Sequence, residues 1–223
     1  MLKISIIIPA LNEADSIKAT LLPLQTWRQH GCEIIVADGG SDDETIALAR
    51  PLADQVINAR RGRARQMNAG AHVASGKVLL FLHADTLLPD NAPELVNQSL
   101  QTTQWGRFDV RLSGKHPLLR LIEFMMNFRS RLSGIASGDQ AIFIGRDLFD
   151  VLGGYAEIAL MEDIEISKRL KRHSRPACIK TRLITSSRRW EKHGILRTIL
   201  LMWRLRLAYF FGVTPEQLAR QYH

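Results

Sequence analysis

The residue of this chain best placed for chemistry is Asp85, which closes the stretch Val78-Leu79-Leu80-Phe81-Leu82-His83-Ala84-Asp85. The seven residues before the acid read as a strand covered on both faces. A carboxylate at the C-terminal end of such a strand lies where open α/β sheets bind ligands. It can hold Mg2+ or Mn2+ against a diphosphate, because those cations use one or two protein carboxylates plus substrate oxygens. Arg61, Arg63 and Arg65 surround Gly62 and can neutralise phosphate oxygens. A solvated basic loop would have the same composition. Asp38, in Asp38-Gly39-Gly40-Ser41, can accept hydrogen bonds from a base or ribose, or can simply shape a turn.

The elements that must position these residues follow from periodicity. Lys3–Ile8 is an apolar strand that Pro9 should stop, and Ile17, Leu21 and Leu24 mark a helix that Pro23 should kink or end. Glu33–Ala37 is a second strand, Glu44–Leu52 a helix and Gln55–Asn58 a short third strand. Ala64–Ala74 is a helix capped by Ser75-Gly76, and Asn91–Gln101 is the next. This βαβ rhythm with short connections predicts a Rossmann-like, doubly wound, mostly parallel sheet with helices on both faces. The polar loops after strands one to four then share one sheet edge and line one crevice. The second half is less regular. Gly106–Leu112, Gln140–Gly145 and Ile179–Ser186 look like strands, and Asp147–Val151 and Met161–Arg172 like helices. Leu118–Phe128 is apolar almost all round and reads as a buried core helix, or as the lining of an acceptor site. Ile195–Phe211 is an amphipathic C-terminal helix carrying Arg197, Arg204 and Arg206.

The totals narrow the class. At 223 residues, 46% hydrophobic and 23% charged, the chain can bury a substantial core, and disorder is excluded. The formal charge of +8 suits an anionic ligand, an acidic membrane surface or nucleic acid. The arginines are scattered and form no recognised module, so no nucleic-acid partner is expected. Cys32 and Cys178 lack metal-type spacing and suit reduced core positions of a cytosolic protein. No signal peptide or transmembrane run is evident, so the expected location is cytoplasmic. No Gly-x-Gly-x-x-Gly follows strand one and no Gly-Lys-Ser/Thr loop is present, which argues against dinucleotide and P-loop sites.

Taken together, Ile6-Ile7-Ile8-Pro9-Ala10-Leu11-Asn12-Glu13, Val36-Ala37-Asp38-Gly39-Gly40-Ser41-Asp42-Asp43, Met67-Asn68-Ala69-Gly70, the Val78–Asp85 stretch, Gly138-Asp139-Gln140 and Met161-Glu162-Asp163 resemble the family 2 glycosyltransferases of the GT-A fold. The likeness covers residues 1 to about 190. A compact bacterial subgroup linked by name to arsenosugar biosynthesis is similar as well. The resemblance implies inverting transfer of a sugar from a nucleotide-diphosphate sugar, usually a UDP-sugar, to an acceptor hydroxyl. Pro9, Ala10, Glu13 and Asp38 would hold the nucleoside, with Asn12, Gly39 and Arg63 beside them. Asp85 would be the metal-binding acid of the family's Asp-x-Asp motif, whose first Asp is here His83. His83 would then contact the metal or a phosphate, or serve a structural role. Asp163 matches the family's catalytic base, with Glu162 adjacent. Alone, the two acids would only favour a helix dipole. Gly138, Asp139 and Gln140 would lie near acceptor and donor sugar, or form a plain turn. Arg188, Arg189 and Trp190 would close over the diphosphate, or form a surface loop.

By this division residues 1–105 form the nucleotide-binding half, 106–190 the acceptor half and 191–223 a helical extension. The acceptor would be a small or lipid-linked molecule. The last helix would lie on the inner face of an anionic membrane, pack on the catalytic domain, or join a homodimer. A non-catalytic nucleotide-sugar-binding or scaffold protein is the rival, and the intact Asp85 and Asp163 speak against it.

Overall fold

The computed structural model describes residues 2–222. The apolar run near the N-terminus forms β1 (Ile4–Ala10), the centre of four parallel strands. On one side it pairs with β2 (Glu33–Asp38), which pairs with β3 (Gln55–Asn58). On the other it pairs with β4 (Val78–Phe81). Alternate residues feed opposite faces, as strand geometry requires. Ile4, Ile6 and Ile8 join one core with Val78, Leu80 and Leu82, whereas Ile7, Leu79 and Phe81 join a second core on the other side.

Helix α1 (Ala14–Gln29) covers the first core with Ile17, Leu21 and Leu24. Helix α3 (Arg63–Val73) covers the second with Ala64, Met67 and Ala71. Between them in the chain lies the short α2 (Thr45–Ala49). Gly70 lets α3 approach closely: a Cβ there would sit 2.5 Å from Cγ2 of Ile7.

The sheet continues past β4. Four more strands follow: β5 (Thr86–Leu87), β6 (Trp105–Leu112), β7 (Phe143–Gly145) and β8 (Ala177–Thr185). The spatial order is β3-β2-β1-β4-β7-β6-β8-β5. Only β7 and β5 run against the rest, so the sheet is mostly parallel. Helices α4 (Ala92–Ser99), α5 (Pro117–Ser133), α6 (Arg146–Val151) and α7 (Glu162–Leu170) interleave with these strands. The C-terminal part comprises α8 (Arg188–His193), α9 (Ile195–Phe210) and α10 (Pro215–Tyr222). Leu205 and Leu218 of α9 and α10 pack with Met161 and Ile164 at the start of α7.

Several local expectations are corrected. Pro9 does not end β1. Ile7 and Pro9 turn their backbone toward the β4 side, where the ladder finishes at Ile7–Phe81, so no ladder bond needs the missing N–H. Pro23 lies within α1, which runs on to Gln29. Ser75-Gly76 does not supply a left-handed cap. Gly76 is needed because a Cβ would collide with Ser5 and the Lys3 carbonyl. Strand β4 keeps four of the seven expected residues. Leu82 still donates to the Ile7 carbonyl before His83 and Ala84 turn away. Cys32 and Cys178 are free and half-buried, not core residues.

The largest departure is α5. It is not a buried apolar helix: Glu123, Asn127 and Ser130 face inward beside Leu119 and Ile122, while Leu121, Phe124, Met125 and Phe128 are exposed. Strand β6 pairs with β7 only through Trp105 and Gly106, leaving the rest of that edge without a strand. Side chains close it. Gln140 donates to the Phe108 carbonyl, Asn127 makes bonds of 2.8 and 3.0 Å to the N–H and carbonyl of Val110, Glu123 accepts from Leu112 N, and Arg120 donates to the Leu112 carbonyl. An uncovered edge needs such partners.

Candidate active site

The loops after β1, β3 and β4 open into one crevice of about 530 Å³, walled opposite by Gly138-Asp139, the start of α7, α8 and the inner face of α9. Pro9, Ala10, Glu13, Arg63, His83, Asp85, Gly138, Asp139, Glu162, Asp163, Arg188, Arg189 and Trp190 all line it. The topology brings these distant segments together because β1 and β4 end side by side and β7 returns the chain next to them.

Four residues expected in the site are placed elsewhere. Asp38 is fully buried, and its carboxylate accepts from Gly40 N, Ser41 N and the Ser41 hydroxyl. Gly39 donates to the Ala10 carbonyl and leaves room for the Gln66 amide. Asn12 accepts from Asp42 N, and its φ of 54° turns the loop after β1. Gln140 is buried as the end of the Gly138–Gln140 3-10 turn, where it forms a reciprocal cap with Ser137. These four residues shape the loops; their contacts are internal.

His83 has one ring nitrogen paired and the other without a hydrogen-bond partner. Its Nδ1 lies 3.2 Å from Oδ1 of Asp139. Its buried Nε2 faces Gly138, where a Cβ would come within 2.6 Å. Any side chain at 138 would therefore displace the ring. Burial works against charge on Asp139, but the hydrogen bond and charge of His83, together with the charges of Arg63 and Arg206, outweigh it and hold the acid below its ordinary range. Asp85 is pushed the other way, chiefly by burial; the Asp139 and Glu13 carboxylates add to the rise and His83 opposes it. A carboxylate held near other acids gains from an arriving cation.

Among the described residues no three His, Cys, Asp or Glu side chains are gathered as a metal centre. That suits a cation bound by one or two protein carboxylates and completed by substrate oxygens. Asp85 fits such a role; His83 has Nδ1 against Asp139 and Nε2 without a hydrogen-bond partner.

Across the crevice, Asp163 is fixed by two backbone donors, Gly138 N at 2.9 Å and Ile164 N at 2.7 Å. It remains part of the lining. The residue that starts its helix, Met161, has φ 72°, and Asn12 and Ala141 also have positive φ. These three non-glycine positions all flank site loops, where strained backbone tends to collect. The crevice arginines rest on internal partners. Arg63 pairs with Glu162 at 3.2 Å, Arg188 with Glu13 at 3.1 Å, and the Arg189 guanidinium lies 3.5 Å from the centre of the Tyr222 ring. Arg65 instead pairs with exposed Glu157 outside the crevice.

Glu162 is buried beside Asp163. Burial raises its pKa, the Arg63 charge opposes the rise and Asp163 adds to it. The folded protein thus holds this proton more tightly than the unfolded chain. The resulting stability is fully present below the ordinary value of 4.5 and is lost as pH rises through the folded value. Glu162→Gln lacks this dependence. Its thermal midpoint relative to the parent is expected to improve from pH about 4.5 toward neutrality. An unchanged difference across that range would show that Arg63 compensates the charge fully.

Gln66, Thr198, Met202 and Tyr222 line the crevice without having been singled out from sequence, and Arg206, expected only as a charge on the last helix, lines it too. Gln66 braces the floor by donating to the Ala10 and Ala37 carbonyls. A detectable signal existed for α9: Thr198, Met202, Leu205 and Arg206 recur at helical spacing on the face opposite the exposed apolar one.

Known proteins are similar in sequence or in fold. An uncharacterized glycosyltransferase of Mycobacterium tuberculosis is 31% identical over 166 residues, which is 68% of this chain and 62% of the relative. The chain thus spans under two thirds of that relative's length. The mannosyltransferase PcManGT of Pyrobaculum calidifontis, solved with GDP-Man and Mn2+, superposes with a TM-score of 0.68 at 19% identity, covering 99% of this chain and 69% of its own. Residues 1–349 of TarS from S. aureus, solved with UDP-GlcNAc, give 0.68 at 16% identity, covering 83% of this chain and 58% of that one. These two likenesses are of fold, the α/β GT-A architecture. Residues 5–133, more than half of the chain, match the sequence family described as glycosyl transferase family 2, and the chain belongs to that family.

Proposed function

We propose that this protein is an inverting glycosyltransferase that moves a sugar from a UDP-sugar to an acceptor hydroxyl. The observation that carries this is one crevice with Asp85 on the strand-end wall and Asp163 on the facing wall. Residues 1–105 would hold the nucleotide, 106–190 would present acceptor and base, and the extension from 191 would close the crevice with α9. In the reaction the acceptor oxygen bonds to the anomeric carbon, the bond from that carbon to the diphosphate breaks, and the hydroxyl proton passes to Asp163. Mg2+ or Mn2+, held by Asp85, would neutralise charge on the leaving diphosphate. Arg63, Arg188 and Arg189 support the same task, because a diphosphate can draw them from their present partners. The structural relatives were solved with both GDP- and UDP-linked sugars, so the uridine preference rests on the family resemblance. The narrower resemblance to the arsenosugar-named subgroup gives one acceptor class to include in a screen.

A thermal-shift screen of nucleotide sugars with and without Mn2+ tests this. Stabilisation by UDP-sugars that needs Mn2+ and disappears in Asp85→Ala is expected. At 100 times Kd the ligand would add about 2.7 kcal/mol of stability. Indifference to both nucleotide and metal would overturn the proposal. Binding without transfer or hydrolysis of any sugar would favour a non-catalytic binding protein.

A further inference from the structure

Helices α5 and α9 carry an apolar surface that the catalytic reading does not use. On α5, Leu121, Phe124 and Phe128 are exposed; on α9, Leu200, Trp203 and Phe210 are 71, 62 and 77% exposed. Ile195 and Ile199 of α9 pack against the cluster of Leu119 and Ile122 from α5, so the two helices are neighbours. Ile135, just after α5, packs in the cluster that holds Leu201, Met202 and Leu205 of α9, so the two helices run in the same direction. Helical spacing then sets the two exposed stripes side by side on the outer surface, away from the sheet. Single exposed apolar residues are ordinary, but two apolar stripes on the outer faces of neighbouring helices are the kind of surface that makes a contact.

The charge around the patch selects its occupant. The acid of α5, Glu123, is buried against the β6 edge, and α9 has none. Exposed Arg197 and Arg204 edge the α9 stripe, and exposed Lys115 and Lys192 lie just before or within the segments that lead into the two helices, where Glu191 of α8 is an exposed acid. A second copy of the chain would bring these cations against one another. Anionic lipid headgroups would neutralise them while the Trp and Phe side chains enter the headgroup–acyl boundary, as in interfacial helices. No helix among the described residues is long and apolar enough to cross a membrane, so the contact is with the surface of one leaflet.

We propose that the protein docks on an anionic bilayer through the outer faces of α5 and α9. The inner face of α9 lines the crevice through Thr198, Met202 and Arg206, so docking sets one wall of the crevice on the membrane. The docking itself does not depend on the glycosyltransfer reading.

Co-sedimentation with vesicles of neutral phosphatidylcholine, and of the same lipid with a third phosphatidylglycerol, tests it, alongside sedimentation velocity without lipid. Binding to the anionic vesicles is expected, at least tenfold stronger than to neutral ones and weakened by salt. Trp203→Glu with Phe128→Glu should abolish it, and Arg197→Gln with Arg204→Gln should weaken it several-fold. All variants should keep the parent's thermal midpoint within a few degrees, because the altered side chains are exposed. Equal binding of parent and Trp203→Glu/Phe128→Glu, or none by the parent, would overturn the proposal. A concentration-dependent dimer abolished by the same pair, without vesicle binding, would assign the face to a second copy.

Discussion

Asp163→Asn is expected to slow sugar transfer by about 10²–10⁴-fold, the range a positioned general base contributes, while the donor keeps its affinity. The substitution preserves shape. The Asn oxygen can still accept from Gly138 N or from Ile164 N, each of which now meets one carboxylate oxygen. What is lost is an oxygen able to take a proton from the acceptor. Because no donor contact is removed, the loss should fall on kcat and not on the donor's Kd. The assay uses whichever nucleotide sugar stabilises the protein, with the acceptor found by screening. Thermal midpoints of parent and variant with saturating donor should agree within a few degrees. Full turnover by Asp163→Asn would exclude Asp163 as the base and leave Glu162 and Asp139 as the acids on the same wall. Parallel loss of donor binding would show that Asp163 positions the Gly138 loop instead.

The strand-end wall of the crevice was legible in the sequence because parallel strands place their C-terminal loops on one edge. Once β1 and β4 are recognised as buried strands, Pro9, Glu13 and Asp85 must lie close together. The same pattern could not tell an acid that opens into the crevice from one that organises a turn. Asp38 and Asp85 both follow buried strands, yet Asp38 is enclosed by its own loop and Asp85 opens into the crevice. Nor could it show the partner of His83, since Asp139 is far away in sequence and arrives only through β7. The outward apolar face of α5 was hidden for a further reason. Hydrophobic periodicity assumes that apolar residues turn inward. Here the strand edge of β6 needs hydrogen-bonding partners more than α5 needs apolar burial, so Asn127 and Glu123 take the inner face. That demand exists only once β7 has stopped pairing with β6 after Gly106.

The same edge holds a buried charge whose removal should cost more stability than any change in the crevice. Arg107 is 0% exposed and donates to the Asp109 carboxylate and, at 3.2 Å, to the Asn127 carbonyl. Arg131 adds a second cation to Asp109 at 2.9 Å but is itself 42% exposed. Asp109→Ala therefore affects the two arginines unequally: Arg131 regains water, whereas Arg107 stays buried without its counter-charge. Breaking a buried pair from one side typically costs about 3–5 kcal/mol, a large part of the ~5–15 kcal/mol that holds a domain together. The urea midpoint should fall accordingly with little change in slope. Replacing both partners, Arg107→Met with Asp109→Val, should recover most of the loss, because no charge remains to be solvated. A loss below about 1 kcal/mol for Asp109→Ala would mean that Arg107 finds another partner or reaches water. The pair bears on the site through Asn127, which joins β6 to α5 and lies 3.5 Å from the Gln140 amide that ends the Gly138–Gln140 turn. Asp139 and the backbone donor to Asp163 sit on that turn. In Asp109→Ala, donor binding should accordingly weaken without urea, where the protein is still folded, because the turn that carries those groups is held less firmly.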